Sequence, residues 1–373
     1  MKRSVPGLTR LRVGLFPFGG QQNPYTTLIG RCLDRAGIRW QPIQDTKYFP
    51  IRRAVAQPVH ILQMYWPGNF YHSSTRLGTL VKRLMFADGL RCLRRLAFAY
   101  SVENLHPHDS PDAAVDQAYT QRILNRADGL IVMAETSRRI LTETYQVPAG
   151  VVWGHVPHCN YIEWYPNQVS RAEARARLEV SPRQRVLLSL GRIAGYKSLS
   201  RLIEAFFEAD IEDSVLLIAG KPFSVEALRE VEQAVACRST GRRGVVKVVP
   251  AFIPDDEIQV YFNAADAVAL SYADVPMNPG SVVLAMSFGR CVLASHKGAT
   301  PELVGAQAFF GYDENDPASL VGALRDLLAQ TDLLERGREA HARAVANHGP
   351  DVVAKRFGEF YSELRNQVNL ARS

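Results

Sequence analysis

Short apolar runs alternate with longer amphipathic stretches along the chain. Arg12 to Pro17 (RVGLFP) predicts a strand. Pro24 to Gly37 predicts a helix, with Leu28, Ile29, Leu33 and Ala36 near helical spacing and Gly37 as its stop. His60 to Trp66, Leu96 to Val102, Gly129 to Met133 and Val151 to Val156 predict further strands, and Ala113 to Ala127 and Glu135 to Tyr145 predict helices between them.

The second half repeats the rhythm more cleanly. Strands are expected at Arg185 to Leu190, Ser214 to Ala219, Gly244 to Val249, Ala267 to Ser271 and Cys291 to Ser295. Helices are expected at Ser198 to Ala209, Ser224 to Ala236, Asp255 to Ala264 and Gly280 to Phe288. Leu199, Leu202, Ile203 and Phe206 form one buried stripe. Such alternation, with fully apolar strands, implies parallel sheets covered on both faces. The expected class is α/β, with two Rossmann-like parallel-sheet domains facing an interdomain cleft. The expected divisions are residues 1–168, 169–349 and a closing helix at 350–373 that packs back on the first domain. Pro166 marks the turn, and Ser170 to Glu173 reads as a capping box.

Composition narrows the class. At 373 residues, 47% hydrophobic and 22% charged, the chain can bury a sizeable core and is neither a disordered chain nor a disulfide scaffold. It has no apolar run of ~18 residues for a spanning helix. Its basic start is not followed by the apolar core of a secretory signal, so a cytoplasmic location is expected. The five scattered cysteines read as reduced. The net charge of +7 is one-sided: residues 1–168 hold 20 Lys/Arg and 11 Asp/Glu, the rest 24 and 26. A basic half suits an anionic partner, unless its arginines are simply solvated.

Two stretches carry candidate chemistry. In Leu190-Gly191-Arg192-Ile193-Ala194-Gly195-Tyr196-Lys197 a strand ends in a glycine turn, followed by two cations. In Asn278-Pro279-Gly280-Ser281 a loop opens an apolar helix whose first amides face outward. Each alone reads equally as an ordinary βα loop. Together they describe a diphosphate clamp that needs no metal. His106, His108, His155, His158 and Cys159 raise the question of zinc, but their different loops speak against a metal site.

The second-half pattern, G-R…Y-K after the first strand and N-x-G-S before a buried helix, resembles a GT-B glycosyltransferase. In the first half, Asn23-Pro24-Tyr25, His60 to Pro67, Glu103 to Asp109 and Pro157 to Tyr161 are similar to signatures of the bacterial xanthan-type β-mannosyltransferases, which act on polyprenyl-diphosphate glycolipids. The likeness runs from about residue 12 to 304. It implies donor-binding roles for Gly191, Arg192, Lys197, Lys221, Asn278, Gly280, Ser281 and Glu302, and acceptor-side roles for Asn23, Tyr25, Trp66, Asn104, His158 and Tyr161. Glu103, Asp109 and His108 are the candidates for a general base if the reaction inverts configuration. If configuration is retained, the departing phosphate serves as base. The two glutamates of the large retaining GT-B family fall at about Pro276 and Leu284, so that pair is missing here.

The implied partners are a GDP- or UDP-linked sugar, GDP-mannose among them, and a saccharide or polyprenyl-diphosphate acceptor. The implied location is the inner membrane face, with no cofactor, metal or nucleic acid. A sugar-nucleotide epimerase and a non-enzymatic nucleic-acid binder are the alternatives. Between His72 and Tyr100, Arg76, Lys82, Arg83, Arg91, Arg94 and Arg95 interleave with leucines. This reads as a basic amphipathic helix whose apolar side faces the core, its basic side meeting lipid headgroups or the acceptor diphosphate.

Overall fold

A computed structural model describes residues 11–18, 24–44, 50–105, 112–238, 241, 243–273, 277 and 280–372. The chain divides into two compact units, Met1–Cys159 with His348–Ser373, and Asn160–Asn347.

The first unit is built on six parallel strands: β1 (Arg12–Phe16), β2 (Arg39–Pro42), β3 (Ile61–Met64), β4 (Ala97–Ser101), β5 (Gly129–Val132) and β6 (Val152–His155). Their spatial order is β2-β1-β3-β4-β5-β6. The inner strands β3, β4 and β5 are buried at every position, as strands covered on both faces must be. The edge strand β2, RWQP, is half-exposed and ends in a proline that an edge tolerates. Helices α1 (Tyr25–Arg35), α2 (Pro50–Val55), α3 (Arg76–Cys92), α4 (Ala113–Leu124) and α5 (Glu135–Thr144) lie between the strands.

The second unit has β7 (Arg185–Leu190), β8 (Ser214–Ala219), β9 (Val245–Val249), β10 (Ala267–Leu270), β11 (Cys291–Ser295) and β12 (Phe309–Tyr312), all parallel, in the order β12-β11-β10-β7-β8-β9. Its helices are α6 (Arg171–Arg177), α7 (Leu199–Ala209), α8 (Val225–Arg238), α9 (Ile258–Ala264), α10 (Gly280–Ser287), α11 (Thr300–Val304), α12 (Pro317–Ala329) and α13 (Leu333–His348). The Leu199, Leu202, Ile203 and Phe206 stripe of α7 is buried, and Ser170 caps α6 by accepting from the Glu173 amide at 3.2 Å. At the amino end of β10, Asp266 joins Arg171 and Arg175 at 2.5 and 2.9 Å and accepts the Val186 amide, a paired and hydrogen-bonded buried charge.

The chain then completes the first unit with α14 (Pro350–Arg372). Gly129 on β5 and Gly154 on β6 make room for the Phe360 ring, which lies 2.8 and 2.6 Å from where their Cβ atoms would stand. The Tyr361 hydroxyl donates to Gln63 on β3, and Arg35 pairs with Asp351 at 3.0 Å.

Two expectations change. The α9 helix starts at Ile258, three residues later than Asp255, and Glu257 is taken up by Arg177. The apolar side of α3 does not face a core. Leu77, Leu80, Val81 and Leu84 are exposed, and only Phe86 and Gly89 of that helix are buried. A periodic stripe defines a face; it does not say which way the face turns.

Candidate active site

In a parallel α/β sheet the chain leaves the central strand in opposite directions, and the loops diverge at the carboxyl ends of the two strands where this happens. In the second unit those strands are β7 and β10. The loop after β7 carries Gly191, Arg192 and Lys197; the loop after β10 carries Ser271 and Tyr272 and leads to Gly280 and Ser281. Hydrogen bonds stitch the two together. The Ala273 amide donates to the Tyr196 carbonyl at 2.8 Å, the Ser271 hydroxyl donates to the Lys197 carbonyl at 2.6 Å, and the Tyr272 hydroxyl donates to Ser281 Oγ at 2.9 Å. The rings of Tyr196 and Tyr272 stack at 6.1 Å.

Lys197 is the unusual group. Its side chain is 6% exposed, and Nζ donates to the Leu190 carbonyl at 3.0 Å. Burial, then the neighbouring Arg192 guanidinium, pulls its pKa down to about 8. Among the described residues no carboxylate pairs with Lys197 or Arg192. Gly191 has φ +112, and a Cβ there would stand 2.8 Å from Lys197 Nζ, so glycine is required both by the backbone and by the ammonium beneath it. Gly220, after β8, has φ +152, and a Cβ there would lie 2.0 Å from the Gly191 carbonyl oxygen. The Ile193 amide donates to the Lys221 carbonyl at 3.1 Å, and exposed Arg192 lies over the Phe223 ring at 5.5 Å. Lys221 is exposed, as is Glu302, the third residue of α11. The carboxyl ends of β7 and β8 therefore gather close-packed glycine backbone and two cations that have no carboxylate partner among the described residues, an arrangement suited to an anion.

The first unit assembles a different set. Tyr25 opens α1 after β1, Tyr65 and Trp66 follow β3, Glu103 and Asn104 follow β4, and His158 follows β6. The chain diverges at β1 and β3 in this sheet. The Tyr25 hydroxyl donates to Glu103 Oε1 at 2.8 Å, with both residues buried. Burial and the Glu103 charge push the Tyr25 phenol well above its ordinary pKa, so it stays a donor. The Tyr25 ring lies 4.7 Å from His158 and 5.8 Å from each of Tyr65 and Trp66. Trp66 is half-buried and left-handed, with φ 37. His158 is engaged at Nδ1 by the Cys159 carbonyl at 2.7 Å. Burial lowers its pKa to about 4, so the ring is neutral at physiological pH.

Tyr161, expected in the first domain, falls outside it. It belongs to the second unit, where its amide donates to Ser287 Oγ at 3.0 Å and its ring stacks on Tyr165. Asn23, His108, Asp109 and Asn278 lie outside the described residues, as does Pro276. Leu284 stands half-buried within α10, where the large retaining family carries a glutamate. The sequence reading assigned no role to Ser271, Tyr272 or Phe223. The polar Ser-Tyr pair at the end of an apolar strand was the available signal for the first two.

A family model described as "Glycosyl transferases group 1" matches residues 184–330. A D-inositol 3-phosphate glycosyltransferase from Thermobispora bispora is 27% identical, covering 82% of this chain and 73% of its own. One from Mycobacterium sp. (strain KMS) is 29% identical, covering 93% and 73%. Sucrose-phosphate synthase from Thermosynechococcus elongatus has a TM-score of 0.74 at 20% identity, covering 96% of this chain and 100% of that one. Anabaena HepE, solved in complex with UDP and glucose, has a TM-score of 0.72 at 17% identity, covering 94% and 99%. These curated relatives are not xanthan-type mannosyltransferases, so the resemblance holds for GT-B glycosyltransferases at large and is not narrowed to that branch. Neither an epimerase nor a nucleic-acid binder is needed to account for the matches. The chain has the GT-B fold, its residues 184–330 match the group 1 glycosyltransferase model, and with the curated relatives this supports a transferase enzyme.

Proposed function

We propose that the enzyme moves a sugar, mannose in the favoured reading, from a GDP- or UDP-linked donor to a saccharide acceptor carried on a lipid diphosphate at the inner membrane face. The observation behind this is the pair Lys197 and Arg192, cations without a carboxylate partner at the diverging end of the second sheet. As the bond between the sugar C1 and the diphosphate oxygen breaks, its electrons go to the diphosphate. Lys197, Arg192 and the amides at Gly280 and Ser281 stabilise that charge with no metal required. Lys221 lies beside them on the β8 loop, and Glu302 supplies a carboxylate for donor hydroxyls.

A new bond forms between C1 and the acceptor oxygen. The acceptor proton goes to Glu103 if configuration inverts, or to the leaving phosphate if it is retained. The Tyr25 hydroxyl donates to one Glu103 oxygen and orients the carboxylate. The Trp66 indole offers an aromatic face to a sugar ring, with Asn104 and His158 nearby in the chain's first unit. A second reading comes from the relatives: a free polyol phosphate as acceptor, as the names of the D-inositol 3-phosphate enzymes suggest. Incubation with labelled GDP-mannose, UDP-glucose and related donors, with glycolipid extract or inositol phosphate and with EDTA throughout, tests all of this. Label in the lipid phase supports the first acceptor and label in a water-soluble product the second. Epimerised donor without transfer, or loss of turnover in EDTA, contradicts the proposal.

A further inference from the structure

We propose that α3 is a membrane-docking helix that lays its exposed leucine face on an anionic phospholipid surface. Leu77, Leu80, Val81 and Leu84 follow the i, i+3, i+4, i+7 spacing and so form one stripe. All four are exposed, Leu77 by 72% and Leu84 by 64%. Single exposed leucines need no explanation, but a contiguous stripe on one helix face does.

The opposite face of α3 is already committed. Phe86 packs edge-on against Tyr71 and Tyr119, Gly89 seats on Ile51 of α2, and Arg83 leans over the Tyr119 ring at 5.9 Å. The helix is therefore anchored inward, with its apolar stripe turned out.

The charge around the stripe selects the occupant. Arg76 and Arg91 are exposed on α3, as is Arg53 on the adjoining α2. The one acid of α3, Asp88, is already neutralised by Arg52. Cations flanking an exposed leucine stripe match a bilayer with anionic headgroups, where the arginines meet phosphate and the leucines enter the acyl boundary. A second copy of this basic surface would instead bring like charges together. No helix of the described residues is long and apolar enough to cross a membrane, so this is contact at the surface. The inference stands on the helix alone and holds whichever acceptor the enzyme uses.

The test is co-sedimentation of the full chain with vesicles of phosphatidylcholine alone and of phosphatidylcholine with one-third phosphatidylglycerol. Binding is expected to the anionic vesicles only and to fall with salt. The double variant L77D/L84D should cut the bound fraction by about tenfold or more. R76E/R91E should cut it by roughly fivefold per cation removed. Both should keep the wild-type melting temperature, because the altered side chains are exposed. Equal binding to neutral and anionic vesicles, or undiminished binding by both variants, overturns the proposal. So does a wild-type dimer in sedimentation velocity that L77D/L84D abolishes without any vesicle binding, since a second copy would then be the occupant.

Discussion

Lys197 is held as a cation in a place that disfavours cations. Its folded pKa of about 8 lies below the ordinary lysine range, so between the two the unfolded chain binds more protons. Stability therefore rises with pH above about 8, and K197M should lose this rise in melts taken from pH 7 to 10. Anion binding needs the charged form, so nucleotide affinity should fall as pH climbs through 8, and K197A and R192A should each lower turnover by about a hundredfold. Calorimetry with GDP and UDP checks the affinity. Near-normal turnover in both variants would remove the clamp. His158 has the same sign in a lower pH window. Its folded pKa of about 4 is below the unfolded value, so its contribution is present above the ordinary histidine range and lost as pH falls toward 4. The loss is on the order of 3 kcal/mol, and H158Q should flatten the stability profile over that window. Gly191, Arg192 and Lys197 were legible in the sequence because they are neighbours in it. The Tyr25 to Glu103 bond was not, because its partners are 78 residues apart and only strand order brings them together.

At the scale of elements, α14 shows how a helix can belong to a sheet formed far earlier in the chain. Phe360 fills the space left by Gly129 and Gly154, so F360A leaves a void against two glycines that have no side chain to collapse into it. Urea denaturation should show a loss of about 3–5 kcal/mol, the usual cost of emptying a buried phenylalanine site. The buried strands β7, β8 and β11 could be read to the residue, since continuous apolar runs mark them. The edge strands β2 and β12 could not. RWQP is polar and ends in proline, and FFGY is short, half-buried and interrupted by Gly311, over which the His296 ring lies. The helices α2, α11, α12 and α13 also escaped prediction, although Asp316 before Pro317 caps α12 through the Ala318 amide at 2.9 Å and was a readable start signal. For α3 the sequence shows the stripe, but burial depends on a tertiary partner that no local pattern encodes.

Over the whole molecule, strand–helix alternation was enough to predict two parallel sheets, because such sheets must be covered on both faces. The passage from one unit to the other at Cys159–Asn160 leaves no mark in composition. The two places where the chain passes between units are each tied by a hydrogen bond: His348 Nδ1 to the His158 carbonyl at 2.9 Å, and Asn160 Nδ2 to the Ala344 carbonyl at 2.8 Å. The charge asymmetry remains a property of whole regions, set by 20 basic against 11 acidic residues in positions 1–168. Because α14 follows the whole of the second unit in the chain, the amino-terminal sheet stays incomplete while residues 160–347 are translated. Order of synthesis and order of folding should therefore be reversed. Ribosomes stalled after residue 347 has emerged should carry a protease-resistant segment 160–347 while residues 11–159 are still readily cut, and resistance of that earlier stretch should appear only once α14 has emerged.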